Sequence, residues 1–190
     1  MRDVLILAYG SLYIRGLNRN FEEGGRSGVQ EAEVLELFDR YSNMIYRIAL
    51  TYLRQPQDAE DVVQAVFLKL IEGRATPAPG KERAFLTQVA INQCKDVLRS
   101  VWKRKIEPLD DEIVFQQSED RELFDAIMGL ASKYRVVIYM HYYEGYTFSE
   151  ISGFLSISPS AVSMRAHRAK KLLKDKLKEE DDEIQLQTNV

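Results

Sequence analysis

The sequence predicts an all-α protein built as two small helical domains joined by an acidic linker. Three observations carry that prediction. Apolar residues recur three and four apart over long stretches, the period of a helix face, and no second alternating run exists to pair with a strand. Charge is segregated: residues 31–105 hold 12 basic and 10 acidic residues, residues 106–125 hold one basic and eight acidic, and residues 126–175 hold seven basic and three acidic. Two helix-start signals, Thr147-Phe148-Ser149-Glu150 and Ser158-Pro159, also bracket a tight turn near the end of the chain.

Taken in order, residues 1–30 read as a flexible N-terminal extension. The apolar run Val4-Leu5-Ile6-Leu7-Ala8-Tyr9 lacks the basic flank and small-residue cleavage site of a signal peptide, and Gly24-Gly25 and Gly28 separate it from the patterned chain. Val34, Leu35, Leu37, Phe38, Tyr41, Ile45, Ile48, Ala49 and Tyr52 line one face of a first helix, which Pro56 stops. A second helix is expected from near Asp58-Ala59-Glu60-Asp61, where acids favour the positive end of the helix dipole. It buries Val62, Val63, Val66, Phe67, Leu70 and Ile71 and ends at Gly73. After the loop Thr76-Pro77-Ala78-Pro79-Gly80, a third helix is expected over 81–103, burying Phe85, Leu86, Val89, Ala90, Val97 and Leu98.

Residues 106–120 form the acidic linker; on charge alone they could equally be a solvated loop inside one domain. Leu123, Phe124, Ile127, Met128 and Leu130 predict a fourth helix. The span 134–143 predicts a fifth, although Val136-Val137-Ile138-Tyr139 has the composition of a strand. The second domain spans 121–178, and residues 179–190 form an acidic tail.

The segment 147–172 carries the strongest local signal. A capping box at Thr147/Glu150 opens a short helix with Ile151, Phe154 and Leu155; Ser156-Ile157 turns; Ser158 caps the next helix, with Pro159 in its first position. The new helix buries Val162, Ala169, Leu172 and Leu173 and shows Ser160, Ser163, Met164, Arg165, His167, Arg168, Lys170 and Lys171. Two helices joined so tightly make a helix-turn-helix, whose second helix fits the major groove. Short polar residues near its start approach base edges while the cations beyond reach phosphates. A plain helical hairpin with a solvated basic face is the alternative.

Composition narrows the function further. Apolar residues make up 45% and charged residues 29%, enough to build a core, and the formal charge of −3 argues against bulk coating of nucleic acid. One cysteine, Cys94, excludes a disulfide framework and reads as a small buried filler. With His141 and His167 the only histidines, no structural metal or other cofactor is expected, and the chain reads as soluble and from a reducing compartment. The carboxylates Asp58, Glu60 and Asp61 could be imagined as a catalytic cluster. Neighbouring residues on a helix diverge by roughly 100° each, however, so helix-start acids are the simpler reading. Asn92, Lys95 and Arg99, with Lys103 beyond, share one face of the third helix; Asn bonds base edges, the cations neutralise phosphates, and Trp102 could stack on an unpaired base. A solvated basic helix end, with Trp102 in the core, is the competing reading.

Particular motifs then bear a family resemblance. Tyr46-Arg47-Ile48-Ala49, the run from Asp58 to Leu70 containing Glu60-Asp61-Val62-Val63-Gln64-Ala65, and Phe85-Leu86 with Ala90-Ile91-Asn92 resemble region two of the extracytoplasmic-function (ECF) group of bacterial sigma factors. Tyr134-Arg135-Val136-Val137, Tyr142-Tyr143-Glu144-Gly145-Tyr146-Thr147 and the helix-turn-helix through Arg168-Ala169-Lys170 resemble region four of the same group. The resemblance implies a non-enzymatic, cytoplasmic promoter-specificity subunit that binds core RNA polymerase, with an anti-sigma factor as a further partner. It implies that Asp61 and Gln64 face the polymerase clamp. Asn92, Lys95, Arg99, Trp102 and Lys103 would meet the melted minus-ten strand, and Ser160, Ser163, Met164, Arg165, His167, Arg168 and Lys171 the minus-thirty-five duplex. The family often has an acid where this chain has Ala65, and commonly a basic residue followed by Ser where it has Ser163 and Met164. A different minus-thirty-five preference is therefore expected. Read without the resemblance, the chain could be a stand-alone helix-turn-helix regulator whose first domain senses or dimerises.

Overall fold

A computed structural model describes residues 31–104 and 121–188. The expected extension 1–30 and the linker 106–120 lie outside the described residues, as do the side chains of Trp102, Lys103, Phe124 and the acidic tail. The described residues are helical, with no strand among them, and fall into two compact units.

The first unit is a three-helix bundle of α1 (Glu31–Leu53), α2 (Pro56–Ile71) and α3 (Glu82–Arg104), each packed on the other two. The predicted stripe of α1 is the buried one, from Val34 through Phe38, Ile45 and Ile48 to Tyr52. It meets Val62, Val66, Phe67 and Leu70 of α2, with the rings of Phe38 and Phe67 edge to face at 4.8 Å between centroids. Pro56 both ends α1 and opens α2, because its missing N–H costs nothing at the first helical position. The link is only Arg54-Gln55, and Arg54 takes a left-handed φ of 63° to make the turn. Gly73 lies just past the end of α2 at φ 64°, the conformation its position requires.

α3 corrects one expectation. Its inward face is Leu86, Thr87, Ala90, Ile91 and Cys94, whereas Leu98 is 40% exposed. The apolar pattern points one ridge away from the true one, because Thr87 is small and polar and does not announce burial by type; Cys94 is buried, as its type suggests. Burial pushes the Cys94 thiol up to about 12, so it is an inert filler at neutral pH. Lys69 Nζ donates to Gln93 Oε1 at 2.7 Å, tying α2 to α3 at the edge of this core.

The second unit contains α4 (Arg121–Gly129), α5 (Ser132–Ile138), a π-helical turn (Tyr139–Tyr143), α6 (Phe148–Leu155) and α7 (Pro159–Thr188). The strand-like run Val136–Tyr139 is helical and fully buried, its hydrophobicity explained by contact on all sides. Ala126, Ile127, Leu130, Ile138, Ala169 and Leu173 form one core, with Tyr134 and Leu177 packed around it. On α7 the buried ridge is Val162, Ala166, Ala169 and Leu173; Leu172, expected inside, is 45% exposed. The helix continues to Thr188, through the segment that composition marked as a tail.

Candidate nucleic-acid interface

The helix-turn-helix is built by its caps. Thr147 Oγ1 accepts from the Glu150 N–H at 3.3 Å, and Glu150 Oε2 accepts from the Thr147 N–H at 2.8 Å and its hydroxyl at 2.7 Å. Ser156 ends α6 in the left-handed region at φ 57°, and Ser158 Oγ accepts from the Ala161 N–H at 3.2 Å to start α7. Ile151, Phe154, Val162 and Ala166 then close the angle between α6 and α7, with Phe154 edge to face with Tyr146.

That packing turns the opposite side of α7 outward. Ser160, Ser163, Met164, His167, Arg168 and Lys171 are exposed; Met164 is 61% exposed, an apolar side chain standing in a polar ridge. Arg165, predicted among the exposed cations, is half-buried and off this ridge. Two cations flank it under restraint. The Arg168 guanidinium donates to the Tyr134 phenol and holds its pKa below the usual tyrosine value, and Lys133 Nζ lies 5.0 Å from the same ring. Lys170 Nζ lies 5.0 Å from the Tyr142 ring centre. Sequence reasoning misses these tyrosines as site residues, since no local spacing links them to α7; only the fold brings them there.

On the first unit, Asn92 and Arg99 are exposed and Lys95 is half-buried along one face of α3. Asn92 Oδ1 accepts from Gln88 Nε2 at 3.1 Å, and Arg99 pairs with Asp96 at 3.3 Å. The face is therefore less uniformly basic than the spacing of its cations suggested. Trp102 and Lys103 lie on the last turn of the same helix, their side chains outside the described residues. At the start of α2, Asp61 and Gln64 are exposed one turn apart, and Asp58 is half-buried. Burial, and then the neighbouring Asp61, raise the Asp58 carboxyl above its ordinary value. Among the described residues, no three His, Cys, Asp or Glu side chains gather as metal ligands, and no helix is long and apolar enough to cross a membrane.

Residues 37–104 match the Sigma-70 region 2 family, and residues 120–173 match Sigma-70, region 4. The chain belongs to the ECF group of RNA polymerase sigma factors. The RNA polymerase sigma factor CarQ of Myxococcus xanthus is 29% identical over 169 residues, spanning 84% of this chain and 97% of the relative. The ECF RNA polymerase sigma factor SigL of Mycobacterium tuberculosis is 29% identical over 171 residues, spanning 82% and 94%. Among solved structures, the sigma factor RpoE in complex with the anti-sigma factor NepR from Bartonella quintana superposes with a TM-score of 0.63 at 16% identity, covering 75% of this chain and 95% of that one. CnrH in complex with the cytosolic domain of CnrY gives 0.55 at 19% identity, covering 92% and 96%; both likenesses concern the fold. The two family matches fall on the two separately cored units of this sigma factor. One match includes the exposed faces of α2 and α3, and the other includes the ridge of α7.

Proposed function

We propose that this sigma factor binds core RNA polymerase and directs initiation at promoters with a minus-ten and a minus-thirty-five element, in the cytoplasm and with no reaction of its own. In this reading Asp61 and Gln64 contact the polymerase clamp. Asn92, Lys95 and Arg99, with Trp102 and Lys103, meet the unpaired minus-ten strand, and the α7 ridge from Ser160 to Lys171 enters the minus-thirty-five major groove. Residues 31–105 and 121–178 are the two reading domains, and 106–120 tethers them. The observation that carries the proposal is the pair of family matches in order, each on a unit with an exposed polar or basic helix face. Neither unit need bind tightly, since a tether that holds two weak readers on one polymerase raises their effective concentration. The sigma factor RpoE was captured with the anti-sigma factor NepR, which supports an anti-sigma partner for this chain as well.

Run-off transcription with core polymerase, comparing transcript 5′ ends with and without the protein, tests the reading. New start sites that share two spaced elements are the expected result. Polymerase co-purification without any new start site, or a dimer on a palindromic site that acts without polymerase, would sink it in favour of a stand-alone regulator.

A further inference from the structure

The α7 ridge is bordered on both sides by cations that are already held. At about 100° per residue, Val162, Ala166, Ala169 and Leu173 mark the buried side of α7, and Ser160, Met164 and Lys171 lie nearly opposite. Arg168 falls on one flank of that outward line and Lys170 on the other, about 160° apart around the helix axis. Each flank has its own brace from the chain before the helix-turn-helix.

On one side the brace is Tyr134 of α5. Its ring packs on the core of Ala126, Ile127, Leu130, Ile138, Ala169 and Leu173, so it is fixed at its base, and its phenol oxygen accepts from Arg168. On the other side the brace is Tyr142 in the π-helical turn, with Lys170 Nζ 5.0 Å from its ring centre. Tyr142 is itself supported. His141 packs at 4.7 Å against its ring and at 4.6 Å against Phe148, and His141 Nδ1 is 2.8 Å from the Tyr146 carbonyl, the bond that anchors it beside the Thr147 cap. A π turn is a rare geometry, found frequently at functional sites. Here it delivers Tyr142 to a helix that begins well downstream.

We propose that Tyr134 and Tyr142 are positioning residues for DNA binding, pre-ordering Arg168 and Lys170 so that each meets one of the two phosphate strands bordering the groove that α7 enters. The inference deepens the duplex-reading role of α7 and rests on it. A free Arg or Lys side chain gives up rotamer freedom when it docks on a phosphate. A cation held beforehand by a ring or a phenol has already given up part of it. The hydrogen bond to Tyr134 uses only part of the guanidinium's five-donor fork, Tyr142 is 50% exposed, and Arg168 and Lys170 are themselves exposed, so both cations keep directions open to a phosphate.

The test uses the full chain and a short mixed-sequence duplex at low salt, since phosphate contacts are independent of sequence. Binding is followed by fluorescence anisotropy across a salt series. Arg168→Gln and Lys170→Gln should each weaken binding and flatten the slope of log K against log salt by about one unit. Tyr142→Leu and Tyr134→Phe should weaken binding roughly threefold to tenfold with the slope unchanged, because the cations remain but are less ordered. The deciding measurement is the double variant: Tyr142→Leu added to Lys170→Gln, and Tyr134→Phe added to Arg168→Gln, should cost nothing further. Equal costs with and without the cation would show that the tyrosines only support the fold and would overturn the proposal. Tighter binding by the tyrosine variants would overturn it too, by showing that the rings sequester the cations. Should the two Gln variants bind like the parent, or the parent show no salt-dependent binding, the duplex-reading role of this face would fall together with the proposal.

Discussion

Arginine is almost never fully buried, because its charge loses its water, yet Arg135 is 2% exposed. Its Nη1 donates to the Met128 carbonyl at 2.9 Å and the Leu130 carbonyl at 2.8 Å, satisfying acceptors at the end of α4 that helix geometry leaves open. Arg135→Met keeps most of the bulk and strands both carbonyls. The expected loss is about 2–3 kcal/mol from the second unit, read as a lower urea midpoint. Two carboxyls of the first unit respond oppositely to acid. Asp58 is raised in the fold by burial and then by Asp61, so its contribution to stability is full below its unfolded pKa and is lost as pH rises through the folded value. Glu82 is lowered by backbone N–H donors, its own and that of Gly80, so its contribution is present above its unfolded pKa and is lost as pH falls through the folded value. In urea melts across the acid range, Asp58→Asn should gain on the parent protein as pH rises toward neutral, whereas Glu82→Gln should fall behind it. Parallel curves for either variant would contradict the assignment.

At the scale of one element, α6 is only eight residues from Phe148 to Leu155, too short to persist alone, and it depends on its ends and on packing. Thr147→Ala removes the hydroxyl that accepts from the Glu150 N–H and opens the capping box. It should cost about 1 kcal/mol in the second unit, seen as faster amide exchange that begins at Glu150 and Ile151. This element is legible in the sequence because caps are local chemistry, with partner residues three positions apart. The face of α3 is not. Thr87 is 0% exposed while Leu98 is 40% exposed, so residue type misjudges the inward ridge at those positions, although Cys94 is buried as its type suggests. What decides that ridge is where α1 and α2 lie, and nothing within the α3 sequence encodes it. The partner of Arg99 is within reach of the sequence, since Asp96 stands one turn before it, the spacing at which helix side chains meet.

At the scale of the whole chain, two units with separate cores should unfold as two transitions. Phe67 is 1% exposed and packs edge to face on Phe38. Phe67→Ala should cost the first unit about 3–5 kcal/mol and leave the second unit's melting unchanged, followed through residue-specific amide signals in each. A matching loss in both units would mean that they fold as one. The overall charge belongs to this scale too. A chain of formal charge −3 meets a polyanion with only local basic faces, so the isolated protein should bind promoter duplex weakly at physiological salt and gain affinity steeply as salt is lowered. Anisotropy titrations that found tight, sequence-specific binding by the isolated protein at physiological salt would contradict this.

The sequence alone determined the helical period of each stretch, the caps of the helix-turn-helix, the two basic segments and the acidic span between them, and the motifs that tie the chain to its family. Each of these is written in neighbours along the chain, where spacing and residue type act directly. The tertiary structure decided which ridge of α3 turns inward, that Leu172 of α7 stays outside while Arg165 is half-buried, and that Tyr134 and Tyr142 come to rest beside Arg168 and Lys170. Those outcomes depend on contacts between residues far apart in sequence, and such contacts exist only once the core has closed around them.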